Sequence, residues 1–187
     1  MSGIDFEYWD SCVFLAFLQA ETHRPGELNY LQEYAQKFDA KLVGITTSTI
    51  TVAEVYEARL TEKQRAFFRS MYSRSNFHFQ DANYQICEVA SEIRGFYKTN
   101  PVANENGVLL YPTTPDAIHV ASAIAVQKGL KKSINLITLD SENKAKKNEL
   151  GLTKLSGLVA QKWQQNIIRP PLKPKQSELL YGQSEPR

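Results

Sequence analysis

The chain has 187 residues, of which 42% are hydrophobic and 22% are charged, so it can bury a substantial core and needs no more than one compact domain. Its formal net charge of +2 permits a nucleic-acid partner without requiring one. The N-terminus lacks a basic region followed by an apolar run, and no stretch approaches ~20 consecutive apolar residues, so we expect neither secretion nor a membrane span. Cys12 and Cys87 have no closely spaced partners, which is typical of reduced core thiols in a cytoplasmic protein and does not indicate a zinc site.

The N-terminal part alternates short apolar strands with helices. Residues 6–9 predict a first strand that ends at Asp10, and Ser11 then opens a helix. Residues 28–38 repeat apolar positions at helical spacing, and residues 42–46 predict the second strand. The order strand, acid, helix, helix, strand is typical of an α/β domain.

The middle of the chain continues this alternation. Thr51 and Glu54 match the S/T-x-x-E capping pattern, so a structural role at the start of a third helix is open to Glu54. Thr61 predicts the cap of a fourth helix, residues 76–80 alternate like a short strand, and Asp81 introduces a fifth helix.

The most apolar helix follows a long connection over residues 100–113. Thr114 suits its N-cap and Pro115 its first position, which places Asp116 in the first turn. The turns that follow are apolar on nearly every face, so we expect this helix to be buried against a sheet up to Gly129. As a structural reading, Asp116 complements the helix dipole, an effect of ~0.3–1 kcal/mol.

The remaining segments are less periodic. In chain order the sequence predicts a strand over 134–139 that ends at Asp140, a basic helix over 142–150, a last strand over 155–160 and an extended tail over 169–175. We therefore divide the chain into a domain over residues 1–162 and a C-terminal extension over residues 163–187, which contains four of the eight prolines together with Lys173 and Lys175.

The predicted elements bring four acids to one edge of a sheet. Strands joined through helices are parallel, and ligands of such sheets bind outside the carboxyl ends of the strands. Asp10 and Asp140 follow strands, whereas Glu54 and Asp116 lie in the first turns of helices that start from the same edge. Clustered carboxylates repel one another unless a cation neutralises them, and oxygen ligands favour Mg²⁺ or Mn²⁺. Such ions support hydrolysis of phosphodiester bonds.

The runs around these acids resemble the four-motif pattern of PIN-domain ribonucleases, especially VapC-like toxins. The runs are Tyr8-Trp9-Asp10-Ser11-Cys12, Ser48-Thr49-Ile50-Thr51-Val52-Ala53-Glu54, Pro115-Asp116-Ala117-Ile118-His119-Val120-Ala121-Ser122-Ala123 and Ile137-Thr138-Leu139-Asp140. The resemblance implies a PIN-like three-layer α/β domain, with a mainly parallel sheet between helices. It also implies a metal-dependent endoribonuclease, with an RNA substrate, whose acidic pocket consists of Asp10, Glu54, Asp116 and Asp140. Ser11 and Thr138 would be polar supports, and the protein would form a homodimer and be inhibited by a cognate antitoxin.

The chain departs from this pattern in two places. It is longer than a compact VapC-like toxin, and Ser141-Glu142-Asn143 stands where the family often has a further acid and an aromatic residue, which makes Glu142 a candidate fifth acid. His119 is better explained as a hydrogen-bonded core or supporting histidine than as a metal ligand. A set of lysines either contacts RNA phosphates or forms a solvated surface: Lys131, Lys132, Lys144, Lys146 and Lys147.

Other classes of protein also place acids at strand ends. A phosphotransferase would need a second Asp two positions after Asp10, where Cys12 stands, and a response regulator would need a phosphorylatable Asp that residues 45–49 do not contain. Both classes are disfavoured. The alternative that stays open is a catalytically inactive PIN-like module that binds RNA or protein.

Overall fold

The computed structural model describes residues 4–22, 24–140, 143–144 and 149–170 of the chain. Its strands are β1 Asp5–Trp9, β2 Val43–Ser48, β3 Phe77–Gln80, β4 Val102–Ala103, β5 Leu109–Leu110, β6 Asn135–Ile137, β7 Asn143–Lys144, β8 Glu149–Leu150 and β9 Asn166–Ile168. Its helices are α1 Ser11–Gln19, α2 Glu27–Asp39, α3 Ile50–Glu57, α4 Glu62–Met71, α5 Tyr84–Thr99, α6 Thr114–Leu130 and α7 Ser156–Trp163, with a short 3₁₀ helix at Leu152–Leu155.

Five strands form the central sheet in the order β3-β2-β1-β6-β9, and all four neighbouring pairs are parallel. Alternate side chains of β1 and β6 enter two separate cores. Tyr8 and Leu136 pack with α5, α6 and α7, whereas Trp9 and Ile137 pack with α1, α2, α3 and α4. The predicted α/β class, with a parallel sheet flanked by helices, is confirmed.

The strand register aligns the carboxyl ends of the central strands. Tyr8 is opposite Thr46 on one side of β1, and Trp9 is opposite Ile137 on the other. The backbone N–H of Asp10 then donates to the Ile137 carbonyl at 3.3 Å, which joins the ends of β1 and β6. Residues that directly follow these strands therefore emerge side by side at one edge.

The start of α6 differs from its prediction by one residue. The hydroxyl of Thr113, not of Thr114, accepts the backbone N–H of Asp116 at 3.1 Å, so Thr113 is the N-cap. Asp116 still lies in the first turn. The helix also continues past Gly129 to Leu130, because the next residue, Lys131, adopts the left-handed conformation that closes the helix.

Two other predicted caps are wrong. Asn83 caps α5 by accepting the backbone N–H of Ile86 at 3.1 Å, so Asp81 does not. The N-cap position of α3 is Thr49, which makes no side-chain capping hydrogen bond, and Thr51 lies inside the helix. The capping box predicted for Thr51 and Glu54 is therefore absent, and Glu54 makes a different contact, described below.

The C-terminal part departs furthest from prediction. Asn143–Lys144 and Glu149–Leu150 form an antiparallel pair, so the described residues of the predicted basic helix over 142–150 are strands. The predicted strand over 155–160 belongs to the 3₁₀ helix and α7, since Leu155 and Val159 bury one helical face in the core. Short apolar runs fit both periods, and packing decides between them.

The last strand, β9, lies within the segment 163–187 that the sequence assigns to the C-terminal extension. It pairs with β6 through Ile137 and Ile168 and forms one edge of the central sheet. The tail predicted over 169–175 lies outside the described residues beyond Pro170. The central sheet is therefore complete only with residues that follow position 162.

The described helices include none that is long and apolar enough to span a bilayer. The two cysteines are free thiols, with Cys12 half-buried and Cys87 exposed on α5. The prediction that both are core thiols is wrong, because the apolar face of α5 that reaches the core carries Ile86, Ala90 and Ile93 instead.

Candidate active site

A cavity of about 390 Å³ opens at the carboxyl edge of the central sheet, where α1, α3 and α6 begin. Its lining includes the four acids singled out in the sequence, namely Asp10, Glu54, Asp116 and Asp140. Ser11 also lines it. The acids come from four separate segments of the chain, and the parallel topology brings them together. Their roles stay predictions, whereas their convergence is a property of the fold.

Asp10 is the most buried of these acids, with 3% of its surface exposed. One carboxylate oxygen, Oδ1, accepts the backbone N–H of Val13 at 3.1 Å and the thiol of Cys12 at 2.8 Å, so Asp10 also caps α1. Burial raises the pKa of Asp10, and this rise is opposed by the charge of His119 and by hydrogen bonds from Cys12, Thr138 and the backbone. A buried carboxylate of this kind gains from a nearby cation.

Asp140 is held by residues on both sides of it in the chain. Its backbone N–H donates to the hydroxyl of the fully buried Thr138 at 3.0 Å. Its carboxylate oxygen Oδ2 accepts the backbone N–H of Leu152 at 3.1 Å, and its carbonyl accepts a hydrogen bond from Arg169 at 3.3 Å. Thr138 therefore lies between Asp10 and Asp140, and hydrogen bonds connect it to both.

Glu54 reaches the cavity from α3, which two buried threonines anchor. The hydroxyls of Thr47 and Thr51 are 2.6 Å apart, and Thr47 donates to the carbonyl of Trp9 at 2.7 Å. This pair fixes the start of α3 to the ends of β1 and β2. The Glu54 carboxylate then lies 2.7 Å from the Nε2 atom of His119.

Asp116 lies in the first turn of α6 and is 8% exposed. Its backbone N–H is used by the Thr113 cap, whereas its side chain lines the cavity. The helix-dipole role and a role in the site are therefore compatible, because they use the same carboxylate in the same place.

The lining residues that the sequence did not assign to the site include one thiol, Cys12, and a further acid, Glu149. Cys12 follows Asp10 by two residues in the first turn of α1, a spacing that would have indicated its contact with that acid. Glu149 comes from β8, which depends on pairing with β7 and on a bridge to Tyr111, so no local signal marks it. Glu142, the candidate fifth acid, lies outside the described residues.

Of the lysines predicted to contact RNA, Lys131 and Lys132 lie away from this cavity. Lys132 forms an ion pair with Asp5 at the opposite end of β1, and Lys131 precedes it there at the end of α6. Lys146 and Lys147 lie outside the described residues, and Lys144 is placed only as part of β7.

No three His, Cys, Asp or Glu side chains in the described ranges form a group that could hold a metal ion as they stand. The donor set is nonetheless of the kind that hard divalent cations use, since carboxylate oxygens dominate the lining. Mg²⁺ commonly takes one or two carboxylates and completes its coordination with water, so it does not need a closed protein cage. The residues that could supply such ligands are Asp10, Glu54, Asp116 and Asp140.

No family model and no curated protein matches the chain. Solved structures similar to it include VapBC2 from Rickettsia felis bound to a DNA fragment from its promoter, at 14% identity and a TM-score of 0.49, covering 88% of this chain and 98% of that one. They also include a toxin–antitoxin complex from Klebsiella pneumoniae, at 17% identity and a TM-score of 0.44, covering 77% of this chain and 95% of that one. At such identities and scores, neither neighbour defines an activity for this chain.

Proposed function

We propose that this chain is a metal-dependent endoribonuclease that hydrolyses RNA phosphodiester bonds. The observation that supports the proposal most is the arrival of four carboxylates, from four separate segments, in one cavity at the edge where parallel sheets bind ligands. Bringing like charges together in a partly buried cavity is unfavourable without a cation. A bound Mg²⁺ or Mn²⁺ would polarise the phosphodiester and lower the pKa of a water molecule, so that hydroxide forms near neutral pH.

The residues that line the cavity would have separate roles in the reaction. Asp10 and Asp140 are held by backbone N–H groups and by Thr138, so their carboxylates enter the reaction already oriented. Glu54, which lies in the second turn of α3 and not in the predicted first turn, and Asp116, at the start of α6, complete the acidic lining. Ser11, the first residue of α1, would contact a phosphate oxygen from the rim of the cavity.

The direct test is incubation of the purified protein with a mixed RNA pool in Mg²⁺, in Mn²⁺ and in excess chelator. We expect cleavage in either metal, none in chelator, and recovery when metal is restored. The Asp116→Asn variant is the matched control, since it retains the side-chain size and the Thr113 cap but loses the charge. Cleavage that persists in chelator, or at the wild-type rate in Asp116→Asn, would sink the proposal.

The alternative is a catalytically inactive PIN-like module that binds RNA or protein. One observation favours it, namely that the described residues contain no group of three metal-ligating side chains ready to hold an ion. In that case the same RNA pool would be retained by the protein equally well with and without metal, and it would stay intact.

We further propose that the protein is the toxin of a type II toxin–antitoxin pair, held inactive by a cognate antitoxin. A basic side chain of the antitoxin would enter the acidic cavity, because a cationic group can replace the charge of the metal. A second cavity, of about 800 Å³, shares Cys12 and Asp140 with the first and has apolar walls that include Leu15, Leu28 and Leu139. Apolar side chains of the antitoxin, next to its basic side chain, would fit in this second cavity.

Co-expression with the neighbouring reading frame tests this part of the proposal. Co-purification and relief of a growth defect would support it, whereas the absence of both would remove the toxin assignment and leave the nuclease assignment standing. Light scattering on the isolated protein would test the expected homodimer.

A further inference from the structure

A chain of buried polar contacts runs from β1 through α6 to Glu54. The Tyr8 hydroxyl is 2.9 Å from the Nδ1 atom of His119, and the Nε2 atom of His119 is 2.7 Å from the Oε2 atom of Glu54. Tyr8 is 0% exposed and His119 is 1% exposed, so water does not compete for the contact between these two side chains. The two rings also pack edge to face, with centroids 6.0 Å apart.

The chemistry of the three groups sets the direction of each hydrogen bond. An ionised carboxylate only accepts, so the proton on His119 that faces Glu54 must be on Nε2. In the neutral imidazole Nδ1 then accepts from the Tyr8 hydroxyl, and in the imidazolium the hydroxyl can accept instead. Nε2 is a donor to Glu54 in both states, so the arrangement does not depend on whether His119 is charged.

Glu54 needs such a partner because its own helix does little to orient it. The side chain keeps 26% exposure at the cavity and turns about three side-chain bonds, χ1 to χ3, in a helix of only eight residues. The Thr47–Thr51 contact anchors the backbone of α3 but leaves the direction of the Glu54 side chain open. The only histidine on α6 supplies that direction from a position one turn after Asp116.

We propose that His119 is a positioning residue, held by Tyr8, that fixes one carboxylate orientation of Glu54 toward the acidic cavity. This inference deepens the proposed function and rests on it only for its catalytic consequence. Partners that hold a ligating carboxylate typically contribute ~10–100-fold to metal affinity or activity. His119 would therefore matter for binding of the divalent ion and for turnover, and not for the KM of RNA.

Two substitutions at the same position separate orientation from packing. In His119→Gln the side-chain amide can place an N–H near the former Nε2 position, whereas in His119→Asn the shorter amide cannot reach Glu54. Both create a similar cavity and lose the ring, so they should be destabilised by similar amounts. Tyr8→Phe removes only the hydroxyl. His78→Asn, at an exposed position on β3, is the control substitution of a histidine.

The primary measurement is Mn²⁺ binding to the intact protein by calorimetry, without RNA. We expect His119→Asn to weaken Mn²⁺ binding ~10–100-fold, Tyr8→Phe to weaken it less, and His119→Gln and His78→Asn to stay within ~3-fold of wild type. Equal losses in His119→Gln and His119→Asn, or no loss in His119→Asn, would overturn the positioning role. The calorimetry keeps this test apart from the nuclease assay, because an inactive wild-type protein that showed the expected order would contradict only the proposed function.

A second measurement applies even if His119→Asn does not fold. The chain has three histidines, so the ¹⁵N chemical shifts of the wild-type protein can identify the tautomer of each one. We expect a proton on Nε2 of His119 and a changed signal for that ring in Tyr8→Phe. A neutral His119 with its proton on Nδ1 would overturn the inference.

Discussion

Asp10 and Asp140 follow neighbouring strands of one sheet, yet they are held in opposite ways. At the β1 corner, which comprises Asp10 and the start of α1, the carboxylate is bound by Cys12 and Val13, its near neighbours in the chain. At the β6 corner, which comprises Asp140 and residues 149–170, the partners are Leu152 and Arg169, far along the chain. Thr138 contacts both acids, but the other partners of the Asp10 carboxylate are local, whereas the other partners of Asp140 belong to a distant segment.

The first way to test this contrast is to neutralise each acid in turn. Asp10→Asn should lower RNA cleavage by ~10³-fold or more, since a charge at the centre of the site is lost, and Asp140→Asn should lower it somewhat less. Burial raises the pKa of Asp10 because it disfavours the charged carboxylate, so the neutral side chain of Asp10→Asn should not cost stability. Single-turnover rates in Mn²⁺ and thermal unfolding without metal measure both effects. Wild-type cleavage by Asp10→Asn would contradict the site.

The second test disrupts the β6 corner alone. Arg169 forms an ion pair with the fully buried Glu27, with Nε of the guanidinium 3.0 Å from Oε1 of the carboxylate. Arg169→Met leaves that carboxylate buried without its cation, which should lower the free energy of unfolding by ~3–5 kcal/mol. Urea denaturation measures the loss, and the double variant with Glu27→Gln should recover part of it.

Two truncations provide the control for this ion pair. A chain that ends at Pro170 keeps the Arg169–Glu27 ion pair and should therefore lose clearly less unfolding free energy than Arg169→Met. A chain that ends at Ile168 lacks Arg169 and should resemble Arg169→Met. Equal destabilisation by both truncations would show that residues beyond 170 pack as part of the domain.

The same contrast explains which helices and strands could be predicted from the sequence and which could not. β1 and α1 were predictable because their apolar periods and the acid between them lie within a few residues of one another. β8 and β9 were not, since their pairing partners are Tyr111 and Ile137, and α7 was mistaken for a strand because a short apolar run fits either period. Glu54 shows the intermediate case. Its place on α3 was predictable, but its bond to His119 joins two helices 65 positions apart.

The third prediction concerns the N-cap of α6, where two threonines are adjacent in the chain and one of them is the cap. Thr113→Ala removes the hydroxyl that accepts the Asp116 N–H and should cost ~1 kcal/mol of unfolding free energy. Thr114→Ala should change it by less than ~0.5 kcal/mol, because Thr114 lies inside the helix. Chemical denaturation of the two variants side by side measures the difference. A larger loss in Thr114→Ala would return the cap to the position that the sequence suggested.

The smallest expected effect concerns Glu7, an acid within β1 that lies outside the cavity. Burial raises the pKa of Glu7 above 4.5, and hydrogen bonds from Tyr30 and Trp9 and the charge of Lys37 only partly oppose this rise. The folded state therefore binds more protons than the unfolded state between pH 4.5 and the raised pKa. The contribution of Glu7 to stability is fully present below pH 4.5 and is lost as the pH rises through that interval.

Glu7→Gln removes this titration while keeping groups that can pair with the Tyr30 hydroxyl and the Trp9 N–H. The unfolding free energy of the variant minus that of the wild type should therefore be larger at pH 7 than at pH 4. Tyr30→Phe should have the opposite dependence, because it removes a hydrogen bond that lowers the pKa of Glu7, so its loss of stability should be greater at pH 7 than at pH 4. Unfolding free energies from urea titrations at the two pH values provide the comparison. If the difference in unfolding free energy between Glu7→Gln and wild type were the same at both pH values, burial on β1 would not by itself disfavour a carboxylate. The expectation that Asp10→Asn keeps its stability would then lose its physical basis.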